Sequence, residues 1–192
     1  MNKIVIWFIL LFLASPAYAS WSCLCSQVSK VNFVTVQNNK LTEVHLFTNM
    51  EGTISDEGRV FFNIDLSSVQ TNNSLRNLRL QDIFFETLKF PEATVTLDLN
   101  NDFLSQLKID KANKVPVQAS LFLHGITKNI ETVLLVTRLK SGCLIVTSMD
   151  PIVISLKDFD LLNNLEKIRQ LANLESISKT VTISVNLFFI KD

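Results

Sequence analysis

From Val28 onward the dominant period of apolar and polar residues is two, and nothing else in the sequence restricts the fold as much. A period of two puts alternate side chains on opposite faces of a strand, one face toward a core and the other toward water. Val44, Leu46 and Met50 read as the buried set against His45, Asn49 and Glu51. Asp56-Glu57-Gly58 then marks a turn that returns the chain through Val60, Phe62, Ile64 and Leu66, a hairpin signal. Ala93, Val95, Leu97 and Leu99 form a further run, as do Val117, Ala119, Leu121 and Leu123. Gly125 stands where a turn or bulge is expected before a strand from Ile130 to Leu139. The segments Cys143 to Met149, Ile152 to Leu156 and Val181 to Phe189 complete about eight strands, the number and spacing of an antiparallel sandwich or barrel.

Two segments break the period. Asn72 to Phe85 carries Leu75, Leu78, Ile83 and Phe84 at mixed three- and four-residue spacing, with Thr71 and Asn72 as caps and Pro91 as a stop. Leu161 to Leu174 places Leu161, Leu162, Leu165, Ile168, Leu171, Ala172 and Leu174 on one stripe opposite Asn163, Glu166, Lys167, Arg169 and Gln170. Two amphipathic helices packed on a sheet or across its mouth are the expectation.

Lys3, the apolar run Ile4 to Leu13, Pro16, and Ala17 and Ala19 around Tyr18 have the layout of a secretory signal peptide cleaved after Ala19. The run is shorter than the roughly 20 residues that span a bilayer. Residues 1–19 are therefore read as a leader and residues 20–192 as one domain, since no linker or low-complexity tract divides them. With 18 basic and 18 acidic residues in the whole chain there is no basic field to recruit nucleic acid. Fourteen Phe against a single Tyr point to an apolar interior rather than a polar recognition surface. Cys23, Cys25 and Cys143 would enter an oxidising compartment. Cys23 and Cys25 are too close to close a useful loop, so the expected bridge joins Cys143 to Cys23 or Cys25. His45 and His124 are isolated, and no metal set is expected around Cys23-Leu24-Cys25.

Ser68, Val69, Thr71, Arg76, Asn77, Leu80, Phe84, Phe85, Phe90, Pro91, Ala93 and Thr94, followed by Leu121, Leu123, His124, Gly125, Thr127 and Lys128, form two motifs in order along the chain. They resemble the signature of the YceI-like family, exported proteins with an extended lipocalin-like fold that bind polyisoprenoid lipids. Asp158-Phe159 stands where that family has Asp-Phe-Gly. Three departures bear on the ligand's head group: Asn77 for the commoner Asp, Arg79 where His is frequent, and Asp160 for Gly. The resemblance turns the open choice of sandwich or barrel into a mainly β, antiparallel, up-and-down lipocalin-like barrel of about eight strands with two amphipathic helices. It implies a periplasmic protein that holds an isoprenoid lipid, a quinone or polyprenyl chain, as carrier or reservoir, without catalysis and without a cofactor beyond that lipid.

Arg76, Arg79, Phe84, Phe85, Phe90 and His124 are the candidate ligand-binding residues. Arg76 and Arg79 share a helix face and would grip a polar head by charge-assisted hydrogen bonds, or else bond loop carbonyls or a carboxylate such as Asp82 or Glu86. His124 has no nucleophile or acidic partner identifiable by spacing, and a turn-stabilising role competes with any chemical one. Phe84, Phe85, Phe90 and Phe103 either line a lipid tunnel or fill a core. An envelope stress or interaction protein pairing through edge strands, with itself as a homodimer or with a partner, is the alternative, followed by an enzyme on isoprenoid substrates. A carrier would also meet an inner-membrane electron-transfer or lipid-handling partner.

Overall fold

The computed structural model describes residues 20–24, 28–100 and 102–191. Twelve strands appear in it: β1 Ser20–Cys23, β2 Lys30–Gln37, β3 Leu41–Phe47, β4 Met50–Ser55, β5 Arg59–Asp65, β6 Val69–Gln70, β7 Glu92–Asp98, β8 Ala112–Leu123, β9 Ile126–Arg138, β10 Leu144–Ser148, β11 Ile152–Ser155 and β12 Thr180–Lys191. Three helices interrupt them: α1 Ser74–Arg79, α2 Phe103–Gln106 and α3 Leu162–Leu171.

Every strand pairing is antiparallel, and β1 closes the ring by pairing with both β4 and β12. The resulting circuit is β1-β4-β5-β7-β8-β9-β10-β12, a closed eight-stranded barrel. Closure pairs most of the edges that an open sheet would leave exposed. β2, β3 and β6 extend the wall from the flank of β12, while β11 pairs β12 beyond the end of β10. The fold is thus a lipocalin-like barrel with extra strands, and its inward set is the buried core of Phe, Leu, Ile and Val.

The helices sit at the ends. α1 continues into a π-type turn over Leu80–Phe85, and this segment with α3 covers the end that holds the β8–β9 hairpin. The short α2 covers the opposite end, where Phe103 and Leu104 face inward. Asn73, and not Thr71 or Asn72, caps α1, its side chain accepting from the Arg76 N–H. Thr71 instead donates its N–H and hydroxyl to Asn77 Oδ1, at 2.9 and 2.7 Å, tying the loop to the helix. α3 ends at Leu171, which is exposed, and its buried face includes Asn164 beside Leu165 and Ile168.

Strand β3 has the opposite phase to the one its sequence implies. His45 and Phe47 point inward and Val44 is 62% exposed, because Thr48 and Asn49 step out of the ladder before β4 and reset the alternation. Met50 is buried on the far side of that break.

The expected bridge from Cys143 to Cys23 or Cys25 does not form. Cys23 is disulfide-bonded and Cys143 is a free thiol; Cys25 lies outside the described residues. Register explains the outcome: Cys23 pairs with Phe189 on one side of β12, and Leu144 pairs with the same Phe189 on the other. With β12 between them, Cys23 and the neighbour of Leu144 stand about two strand spacings, ~10 Å, apart, beyond the reach of a disulfide. The leader expected over residues 1–19 also lies outside the described residues.

Candidate functional site: an apolar cavity inside the barrel

The inward side chains of the ring do not fill it. They enclose a cavity of about 240 Å³ that runs from Phe33, Phe47 and Phe85 at the helix-covered end to Phe103 and Leu104 at the other. Of the described residues that line it, Thr132 alone carries a polar side chain. Small residues make part of the room, Ala93 and Ala119 occupying inward positions on β7 and β8. A space lined this way is dry, because a water molecule there would lack the two to four polar partners it needs.

Phe84 and Phe85 come from the π-type turn into the cavity wall, both 7% exposed, with ring centroids 4.9 Å apart in edge-to-face contact. The chain of rings continues through Phe85 and Phe47 at 6.0 Å, Phe47 and Phe33 at 5.3 Å, and Phe33 and His45 at 5.2 Å. Phe90 does not join them. It packs against His124, ring centroids 4.4 Å apart and planes tilted by 51°, and lies so close to Gly125 that a Cβ there would stand 2.9 Å from the ring.

His124 is likewise outside the cavity wall. Its Nε2 is 2.9 Å from Glu86 Oε2 and its Nδ1 3.3 Å from the carbonyl oxygen of Phe159. Asn164 of α3 donates to Glu86 Oε2 at 2.9 Å and to the Phe84 carbonyl at 3.2 Å. Glu86 thus joins three elements, the π-type turn, the β8–β9 hairpin and α3, and holds Phe84 and Phe85 at the mouth. The hydrogen bond from Asn164, then that of His124, holds the Glu86 carboxyl below the usual glutamate range. Sequence reasoning missed Asn164, and Glu86 entered it only as a partner for the arginines. The signal that marks Glu86 is its left-handed backbone, φ 52, where glycine or asparagine is the usual choice.

Arg76 bonds Glu43 of β3, which also accepts from Gln37 at 2.9 Å. Arg79 is half-buried and has no ion-pair partner among the described residues. Neither arginine reaches the cavity wall. Asn77, which replaces the commoner Asp, accepts from Thr71 and donates to Gln70, so that departure concerns a joint between loop and helix.

Beyond Phe33 and Phe47, the inward face of β2 and β3 turns polar through Thr35, Gln37, Glu43 and His45. His45 is 3% exposed; its Nε2 lies 3.0 Å from Thr35 Oγ1, and its Nδ1 is buried without a hydrogen-bond partner. Burial first, then the Arg76 guanidinium, pushes its pKa down, against the opposing pull of Glu43. Among the described residues no cluster of His, Cys, Asp and Glu could hold a metal ion, and no helix is long and apolar enough to cross a membrane.

Residues 24–189 match the YceI-like domain. A polyisoprenoid binding domain from Saccharophagus degradans implicated in plant cell wall breakdown is 34% identical, with a TM-score of 0.86 over 90% of this chain and 98% of that one. Burkholderia cenocepacia BcnA shares the fold at 15% identity, with a TM-score of 0.64 over 83% of this chain and 95% of that one. The YCEI protein of Campylobacter jejuni does so at 21% identity and a TM-score of 0.54, over 77% and 82% of the two chains. No curated protein sequence matches.

Proposed function

The chain belongs to the YceI-like family, and from that premise we propose that it is an exported carrier or reservoir that holds an isoprenoid lipid, a quinone or a polyprenyl chain, inside the barrel and performs no chemistry on it. The observation that carries this reading is the cavity: it lies inside the ring of strands and is lined, Thr132 apart among the described residues, by apolar side chains. Each methylene moved from water into such a space contributes about 0.8 kcal/mol. Several isoprene units therefore supply ample gross affinity, and chain length is weakly specified. The 34% identity to a polyisoprenoid binding domain supports the same ligand class.

In this reading residues 1–19 direct the chain to the periplasm and are removed after Ala19, and an inner-membrane partner donates or accepts the lipid. Phe84 and Phe85 contact the chain of the ligand, while Glu86, His124, Asn164 and Phe90 keep those two rings in place. Mass spectrometry of the organic extract of purified protein tests the proposal. A stoichiometric isoprenoid is expected, and protein that is empty from every preparation and takes up none when offered it would sink the idea.

A further inference from the structure

The barrel wall has a gap. β10 pairs β9 as far as Ser148 and Leu134, and the Met149 N–H then donates to the Val133 carbonyl at 2.9 Å. β11 pairs β12 only, so the edge of β9 over residues 128–133 faces the edge of β11 with no ladder between them. Register shows why. From Val146 to Ile154 the chain advances eight residues while the paired strand β12 advances six, from Leu187 to Val181. The surplus residues, Pro151 among them, bulge out of the sheet and part β11 from β9.

A groove of about 510 Å³ occupies the gap. Ile130, Thr132, Ile152 and Ile154 line this groove and the central cavity alike, so these four side chains separate the interior from solvent. Backbone groups in an antiparallel strand point alternately to its two sides. The Val133 carbonyl points to the β10 side, so those of Asn129 and Glu131 point into the gap. On β11 the Leu156 N–H points to β12, so Val153 and Ser155 present theirs to the gap from the other edge. Lys128, Glu131, Asp150 and Asp158 border the groove, one positive formal charge against three negative.

We propose that the slot between β9 and β11 is the lateral portal through which an elongated apolar ligand slides into the barrel, and the seat of that ligand's neutral, hydrogen-bonding head. The inference rests on the lipid reading above and adds the place and class of the head group. Unpaired backbone N–H groups bond a quinone carbonyl or a hydroxyl oxygen, and unpaired carbonyls accept from a hydroxyl or an amide. The acidic border repels a phosphate or diphosphate. Sliding is sideways, past Ile130, Thr132, Ile152 and Ile154, whereas passage at the end covered by α1 and α3 would break the Glu86 joint.

The test uses delipidated full-length protein and the fluorescent probe N-phenyl-1-naphthylamine, displaced by geranylgeraniol or by geranylgeranyl phosphate. Geranylgeraniol is expected to displace at a concentration at least tenfold lower. Equal or better displacement by the phosphate overturns the head-group assignment. In a Cys143→Ser background, Glu131→Cys with Val153→Cys is bridged across the slot by a two-carbon bis-methanethiosulfonate and compared with the same variant before bridging. Stopped-flow uptake and release are expected to slow at least tenfold with unchanged amplitude and to recover on reduction; unchanged rates overturn the portal. Should that variant fail to fold, a geranylgeranyl ester bearing a diazirine in its head is photolysed on the wild-type protein. Labels at residues 128–133 or 150–158 support the proposal, and labels at residues 43–47 or 76 overturn it. Failure of the wild-type protein to take up any probe would strike the lipid reading itself, a result separate from a portal that merely lies elsewhere.

Discussion

His124 and Glu86 each hold a left-handed backbone, φ 51 and 52, and each meets the other's side chain. His124 with Gly125 forms the positive-φ pair of a type I′ hairpin, a position where asparagine is favoured. His124→Asn therefore separates the turn from the joint. The turn is preserved while the bonds to Glu86 and Phe159 are lost, and denaturant unfolding should show a loss of about 1–2 kcal/mol. A variant as stable as wild type would mean that the joint contributes nothing. The Glu86 carboxyl titrates below its usual value, so its stabilising effect is complete above the unfolded-state glutamate pKa and is lost as pH falls through the folded one. In Glu86→Gln the melting temperature should fall less steeply on acidification, read from thermal unfolding between neutral pH and pH 3. His45 acts in the same direction at higher pH. Its depressed pKa means that protonation favours the unfolded chain, so stability begins to decline below the ordinary histidine range. His45→Leu should remove that first decline and leave the later one intact.

At the scale of elements, the helical segment after β6 and its end at Phe85 were legible from the apolar spacing, but the π-type geometry of its second half was not. A π-type turn over Leu80–Phe85 inserts an extra residue and changes which side chains face the barrel, bringing consecutive phenylalanines to the cavity. The phase of β3 was illegible for a related reason. A two-residue step at Thr48 and Asn49 flips every face before it, and no local preference announces the step. The β8–β9 hairpin was marked by Gly125, and its requirement is steric as well as conformational. With φ at 80° and the Phe90 ring 2.9 Å from a notional Cβ, Gly125→Ala should cost about 1–3 kcal/mol. At roughly 2–4 °C per kcal/mol for a chain of this size, calorimetry would register that cost as a clear fall in melting temperature.

For the whole molecule, the balance between packed core and cavity decides the function. Ala119 stands at an inward position of β8 against the open space. Ala119→Phe should fold with a melting temperature equal to wild type or higher, since it fills a void instead of overpacking a dense core. Its co-purifying lipid, measured by mass spectrometry per mole of protein, should fall several-fold. Full lipid content in that variant would place the ligand outside the barrel.

Local chemistry determined much of this protein. Period-two alternation set the strands, mixed three- and four-residue spacing set the helices, and two separated motifs pointed to the family, because each signal is written in neighbouring residues. Closure belonged to the tertiary structure. Ring formation depends on β1 meeting both β4 and β12, partners distant along the chain, and the same long-range register put β12 between Cys23 and Cys143. The Glu86–Asn164 joint spans 78 residues, and no spacing rule reaches that far. Whether the inward phenylalanines and their aliphatic neighbours fill a core or surround a space is likewise a property of closure, since the radius of the ring, and not the composition of its strands, sets how much room is left inside.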